Sequence, residues 1–228
     1  MRDEGGLFVR ARKPEQIAQR REAILAAMSV LLQSEKPELI SLNQVARQAG
    51  LAKSNVYRYF DSREAIMLAL LREDGLRWMA SIESALEPLH GSEDVSAVAQ
   101  ALARVTASEV RLCQLISMAS SVLEQNVSDQ AVLDFKWHTH ALMGRLVMAL
   151  GRTLPGHPVE QLTGTMHLFI ALIAGLWSQS HPVETVRKAL QDPNLAVMRV
   201  DFEEALGRAM CLLFKGLQPA HPMRLYSL

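Results

Sequence analysis

At 228 residues, 49% of them hydrophobic, the chain is long enough to bury a sizeable core and too apolar to be disordered throughout. Its formal net charge of zero argues against a polycation that coats nucleic acid without specificity. The charge is unevenly spread, however: residues 1–63 hold 11 Lys and Arg against 7 Asp and Glu, while residues 64–228 hold 13 against 17. A basic head on an acidic body points to a localised anionic partner at the N-terminal end.

Two cysteines, Cys113 and Cys211, offer no disulfide framework and suit a reducing compartment. The opening MRDEGGLFVRARK lacks the apolar core of a signal peptide. The most apolar run, Met166 to Trp177, is 12 residues long, where a membrane span needs roughly 20. A cytoplasmic protein with that run in a buried helix is therefore expected.

In chain order, nearly every segment shows helical spacing. From Pro14, apolar residues recur at Ile17, Ile24, Leu25, Met28, Leu31 and Leu32, predicting an amphipathic first helix. The pattern breaks from Glu35 to Ile40, around Pro37. Ser41 with Gln44 forms a capping-box pattern that opens a short helix through Val45, Ala46 and Ala49, and Gly50 ends it. A third short helix is predicted from Lys53 to Phe60. Asp61 with Glu64 repeats the capping-box pattern and opens a long helix to about Leu86, before Pro88 and Gly91. Helices follow near 93–108, 109–125, 129–152, 158–180 and 195–217, with breaks at 154–158, 181–182 and 192–194. The tail after Pro219 is expected to be mobile. The fold class is all-α, with no internal repeat.

The two short helices joined through Gly50-Leu51-Ala52 match a helix-turn-helix, the second helix being the reader. At 100° per residue Val56 and Phe60 share one side, suited to docking on Val45, Ala49 and Leu51. Lys53, Ser54, Tyr57 and Arg58 then face solvent, with Asn55 at their edge. Lys53 and Arg58 suit phosphates, Asn55 an adenine edge or a phosphate, Tyr57 a thymine methyl or a phosphate, and Tyr59 a backbone oxygen. Ser41 and Asn43, at the start of the helix opening at Leu42, and Arg63, beside the one after Asp61, mark further phosphate sites.

The stretch ISLNQVARQAGLAKSNVYRYFDSREAIMLALL resembles the N-terminal domain of TetR-family transcriptional regulators. The matching residues are Ser41, Val45-Ala46, Ala49-Gly50-Leu51, Tyr57-Arg58-Tyr59-Phe60 and Ser62-Arg63-Glu64-Ala65-Ile66. Arg63 replaces the usual lysine, and Asp61 stands where proline is common. The resemblance covers roughly residues 15–70. It implies an N-terminal arm and three-helix DNA-binding domain over 1–62, and a helical effector-binding and dimerisation domain over 63–228. It further implies a homodimer on a double-stranded, near-palindromic operator, a repressor released by a small-molecule effector.

The body adds its own indications. The 158–180 helix has apolar residues all round, which a monomer surface does not favour. Its small-residue face, Ala171, Ala174, Gly175 and Ser178, allows another helix close. With the final helix, through Leu195, Met198, Phe202, Leu206, Ala209 and Leu213, it suits an intersubunit four-helix bundle. Trp78, Met79, Cys113, Ile116, Met118, Phe135, His138, Met143 and Phe169 are candidate walls of an effector pocket for an apolar or amphipathic molecule.

Other chemistry is disfavoured. His138 and His140 lie about 200° apart on a helix and do not share a metal ion readily. The cysteines sit among apolar residues, where inert thiols are the commoner case. Neither a phosphate-binding glycine loop nor a nucleophile elbow occurs. No cofactor, metal, catalytic residue or membrane partner is expected. The alternative to a DNA-binding regulator is a helical sensor acting through protein partners.

Overall fold

The computed structural model describes residues 14–92 and 94–217. The N-terminal arm before Pro14 and the tail after Pro219 lie outside the described residues. Ten α-helices are present among those described: α1 Pro14–Ser34, α2 Leu42–Gln48, α3 Lys53–Val56, α4 Arg63–Leu86, α5 Val95–Ser108, α6 Val110–Met118, α7 Asp129–Thr153, α8 Val159–Ser180, α9 Glu184–Ala189 and α10 Phe202–Gly216. Contacts divide the chain into two compact units, Met1–Ile66 and Met67–Leu228, four residues beyond the boundary expected from the sequence.

In the first unit, Ile24, Met28, Ile40, Val45, Val56 and Ile66 are each fully buried. The capping box at the start of α2 forms: Gln44 N–H donates to Ser41 Oγ (3.3 Å), and Ser41 N–H donates to Gln44 Oε1 (2.8 Å). Gly50, at φ +66°, closes α2 in a left-handed conformation costly for residues with a Cβ. Its own amide and the next turn back onto the helix, Gly50 N–H to Arg47 O (3.1 Å) and Leu51 N–H to Ala46 O (2.9 Å). That double bond pattern satisfies carbonyls a helix end leaves open.

Two expectations for this unit change in detail. The reader helix proper ends at Val56 rather than Phe60, and Tyr57–Tyr59 continue as tight turns. Phe60 N–H still donates to Val56 O (3.1 Å), so the chain keeps a helical course and the two side chains keep their common side. The cap of α4 is Ser62, whose Oγ accepts from Ala65 N–H (3.0 Å). It is not the Asp61–Glu64 pair, because Glu64 is buried and takes Arg63 Nε–H instead (2.8 Å).

The second unit packs α10 against α5 and α8, and α8 against α6 and α7. Gly207 of α10 lies where an added Cβ would come within 3.4 Å of Ala103 on α5, and Gly75 of α4 where one would come within 2.9 Å of Leu142 on α7. Small residues at these two points set the helix spacing. Trp78 and Phe169 stack at 6.0 Å between ring centroids, and Trp78 Nε1–H donates to the buried Thr106 hydroxyl (3.1 Å). Asp74, 1% exposed, is clamped by Arg111 of α6 through Nε–H (2.7 Å) and Nη2–H (2.5 Å), with Arg77 alongside.

Three further elements differ from the sequence expectation. The 109–125 helix is α6 followed by a wider π-type turn, Ala119–Leu123. The 195–217 helix is split, since residues Pro193–Met198 wind as a 3-10 turn and α10 begins only after Asp201. Arg199 donates backwards to Leu190 O (2.7 Å) and Gln191 O (3.2 Å), while the Asp201 carboxylate caps Glu204 N–H (2.8 Å). Leu195 and Met198 are thus not on the helix of Phe202. The third element is α9, six residues exposed along their whole length, which carries no apolar stripe to announce it. The expected buried helix around Met166–Trp177 is also different: α8 is long and apolar enough to cross a membrane by length and composition, and 28% of its most apolar window is buried within the chain.

Replacing Arg111 by Leu leaves Asp74 buried with one charge partner fewer, and is expected to cost about 2 kcal/mol. Removing Arg208, whose pair with Glu204 is exposed on α10, should cost under ~0.5 kcal/mol. Urea midpoints of the two variants measure the contrast.

Candidate functional site: a DNA-reading face and an apolar cavity

Two places in the chain concentrate functional chemistry, one in each unit. The first is the outer face of α3 and its following turn. Val56 is fully buried and Phe60 is 7% exposed, and both belong to the unit's core. Lys53, Ser54, Tyr57 and Arg58 are exposed, while Asn55 and Tyr59 are half-buried. Arg21 of α1 lies over the Phe60 ring at 5.3 Å, and Lys53 Nζ lies 5.7 Å from the Tyr57 centroid. A cation, two hydroxyl-bearing side chains, an amide and an arginine are so displayed on about two helical turns. Asn43, on the first turn of α2, is exposed as well.

Two of the expected phosphate contacts have other tasks. The Ser41 hydroxyl is engaged in the capping box. Arg63 Nη1 donates to Glu38 O (2.8 Å) and Ile40 O (2.7 Å), tying the turn around Pro37 to the start of α4. With Nε on Glu64, most of its hydrogen-bonding fork serves the fold.

The second place is a cavity of about 350 Å³ in the Met67–Leu228 unit, walled by α4, α6, α7 and α8. Of the nine expected walls, Trp78, Ile116, Phe135, His138 and Met143 line it. Met79, Cys113, Met118 and Phe169 are buried outside its lining. Cys113 donates its thiol proton to Thr106 O (3.3 Å), and burial, aided by Glu109, pushes its pKa up to about 12. It is an inert core thiol.

Sequence reasoning missed Arg72 and His167 as cavity walls, and it did not foresee that Ala171 and Ala174, expected at a subunit interface, line the cavity too. A signal was available. Leu71, Gly75 and Trp78 follow a helical stripe on α4, as do His167, Ile170, Ala171 and Ala174 on α8. Of the other expected interface residues, Phe202 and Leu206 are buried in the chain's own core, with Phe202 edge-on to Trp177 at 5.2 Å. Gly175 and Ser178 are exposed, and Ala209 and Leu213 half-buried. Leu168 and Leu212 are also exposed, at 51% and 66%.

Polar groups in the cavity are few. Lys136 is paired with Glu124 (2.7 Å). Nε2 of His138 is buried without a hydrogen-bond partner among the described residues. Burial, followed by the positive charge of Arg72, lowers the His138 pKa below the ordinary 6.5.

Comparison with known proteins resolves the family. The description "Bacterial regulatory proteins, tetR family" matches residues 24–70, and "Tetracyclin repressor-like, C-terminal domain" matches residues 72–221. The chain belongs to the tetR family. An uncharacterised HTH-type transcriptional regulator from Mycobacterium tuberculosis is 35% identical over 85 residues, covering 36% of this chain and 41% of that protein's length. The match therefore spans less than half of that relative. The fold is similar to that of the fatty acid degradation regulator FadR from Bacillus halodurans (TM-score 0.55, 14% identity, 88% of this chain and 97% of that one). It is also similar to a TetR transcriptional regulator from Rhodococcus sp. RHA1 (TM-score 0.51, 17% identity, 87% and 97%). At such identities these two likenesses concern the tetR fold alone. The α2–turn–α3 segment falls inside the first family match, and every cavity-lining residue but Leu71 falls inside the second.

The titratable and charged side chains that line the cavity with His138 are Arg72 of α4, Lys136 and Glu124, and His167 of α8. His138 should stay neutral as the pH falls through 6.5 and take up its proton only below that value. A ring-proton NMR titration, with His138→Phe identifying the signal, checks this.

Proposed function

We propose that this chain is a ligand-responsive transcriptional repressor that binds a near-palindromic operator as a homodimer and is released by a small apolar or amphipathic effector. The observation that carries the reading is the two-sided reader. Val56 and Phe60 are spent inward, and Lys53, Ser54, Tyr57 and Arg58 are left outward in helical register. Such a face presents cations to phosphates and hydrogen-bonding groups to base edges at once. In this reading Asn55 and Tyr59 contact DNA from the rim, and Asn43 meets the phosphate backbone. Arg63 is left out because its donors serve the fold, and Ser41 contributes through its cap rather than its hydroxyl.

The effector site is the cavity on α4, α6, α7 and α8, whose size is at the small end of ligand pockets. α4 supplies residues to both units, so an effector that repositions Arg72, Gly75 and Trp78 is expected to act on the spacing between two readers. A second chain is proposed to cover the outer side of α8 and α10, where Leu168, Gly175, Ser178, Ala209, Leu212 and Leu213 are exposed or half-buried. An operator-binding protein works where the chromosome is, and a cytoplasmic location follows from this reading.

Selection of bound duplexes from a random pool is expected to recover a two-fold symmetric sequence, with half-sites separated according to the reader spacing. Arg58→Ala should lower affinity for that sequence about tenfold and reduce the slope of log affinity against log salt by roughly one. Recovery of no symmetric motif by a folded, dimeric protein overturns the proposal. Independently, Leu168→Glu together with Leu212→Glu should convert a sedimenting dimer to monomer, and an unchanged dimer would place the interface elsewhere.

A further inference from the structure

The charges that line the cavity are unequally matched. Three lining residues carry a fixed charge: Arg72 of α4, Glu124 at the end of the π-type turn, and Lys136 of α7. Glu124 and Lys136 offset each other at 2.7 Å. Arg72 is exposed and makes no ion pair among the described residues. Its positive charge nevertheless reaches the cavity, because it acts on the ring of His138, a wall residue on α7. The rest of the wall is mainly apolar, with Leu71, Trp78 and Leu112 buried and Ile116, Met143 and Ile170 half-buried. An apolar chamber is thus combined with one uncompensated cation on a solvent-exposed residue.

We infer that the cavity takes a hydrophobic monocarboxylate, its apolar body against Trp78, Ile116 and Met143 and its carboxylate paired with the guanidinium of Arg72. The assignment rests on reading the cavity as the effector site and names the chemical class that site takes. A guanidinium presents a planar fork of donors that matches a carboxylate in two parallel hydrogen bonds. A pure hydrocarbon displaces water near that charge and supplies nothing in return, and an alcohol replaces only part of the lost hydration. A cationic head is repelled by Arg72. A head with two negative charges gains little more, because Lys136 is already taken by Glu124 and the Glu124 carboxylate repels it. Arg72 belongs to α4, which supplies residues to both units, so the head group would act on the element through which an effector is read.

Calorimetric titration of the full-length protein with octanoate, 1-octanol and octylammonium, three heads on one chain length, tests this. Octanoate is expected to bind about fivefold more tightly than 1-octanol, the share of one charge-assisted pair at an exposed cation. Octylammonium should bind most weakly. Because Arg72 is exposed, added salt should shrink the octanoate preference. In Arg72→Gln the preference should vanish, while 1-octanol still binds and unchanged helical circular dichroism shows that the variant folds. In Arg72→Lys, which keeps the charge without the fork, part of the preference should return. Octanol or octylammonium binding as tightly as octanoate, a preference that survives in Arg72→Gln, or no binding of any probe overturns the inference. DNA does not enter this experiment. A carboxylate that binds as described but leaves operator binding unchanged would sink the effector reading and leave the ligand class standing.

Discussion

Burial of Val56 and Phe60 in the first unit is the constraint on which the reader depends. A four-residue helix forms too few hydrogen bonds to offset the cost of its own nucleation, so α3 persists only because its inner side is fixed by packing. That packing requires a sharp return of the chain after α2, and the left-handed Gly50 with the two back-turned amides of Gly50 and Leu51 provides it. Once the inner side is fixed, helical geometry leaves no freedom for the outer one. Lys53, Ser54, Tyr57 and Arg58 project outward because Val56 and Phe60 do not. The same economy explains Arg63 and Ser41, polar residues near the reader whose hydrogen bonds hold the frame rather than a ligand.

In the second unit the governing terms are close helix approach and a small number of buried polar contacts. Gly75 and Gly207 admit Leu142 and Ala103 to short distance, and the Asp74–Arg111 clamp joins α4 to α6. Trp78 finds its polar partner in Thr106 and presents its ring to Phe169 and to the cavity wall. Beside it the π-type turn at Ala119–Leu123 interrupts the regular helix, and Ala119 lines the cavity. Such wide turns are common at functional sites because they displace a helix face locally without unfolding it. The outer face of α8 is more apolar than its burial within one chain accounts for, which is the physical motive for the second chain proposed to cover it.

Much of the reader was legible from the residues alone. The capping box at Ser41, the glycine after α2 and the inward pairing of Val56 with Phe60 are all local features, written within a few residues of one another. The cavity was legible in part. Trp78, Ile116, Phe135, His138 and Met143 stand out as bulky or polarisable residues on helical stripes, but so do Met79, Cys113, Met118 and Phe169, which the core absorbs. A helix that is apolar all round gives no phase by which to tell its core stripe from its cavity stripe or its outer face. For this reason the cavity position of Ala171 and Ala174 on α8 was not read from the sequence, and the buried Phe202 and Leu206 were assigned outward.

The sequence by itself determined the all-α class, the order of the helices apart from α9, the position of the reading turn and the set of side chains that α3 turns outward, because each follows from spacing along a single segment. Only the tertiary structure decided which of Ser41, Asn43 and Arg63 remains available and where α10 begins. It also decided which apolar residues form wall rather than core, and that Nε2 of His138 is buried without a partner among the described residues. These depend on residues brought together from distant parts of the chain: Arg63 with Glu38 and Ile40, Arg199 with Leu190, His138 with Arg72. Periodicity states which way a side chain leaves its own helix, and the partner it meets is fixed by how the helices pack.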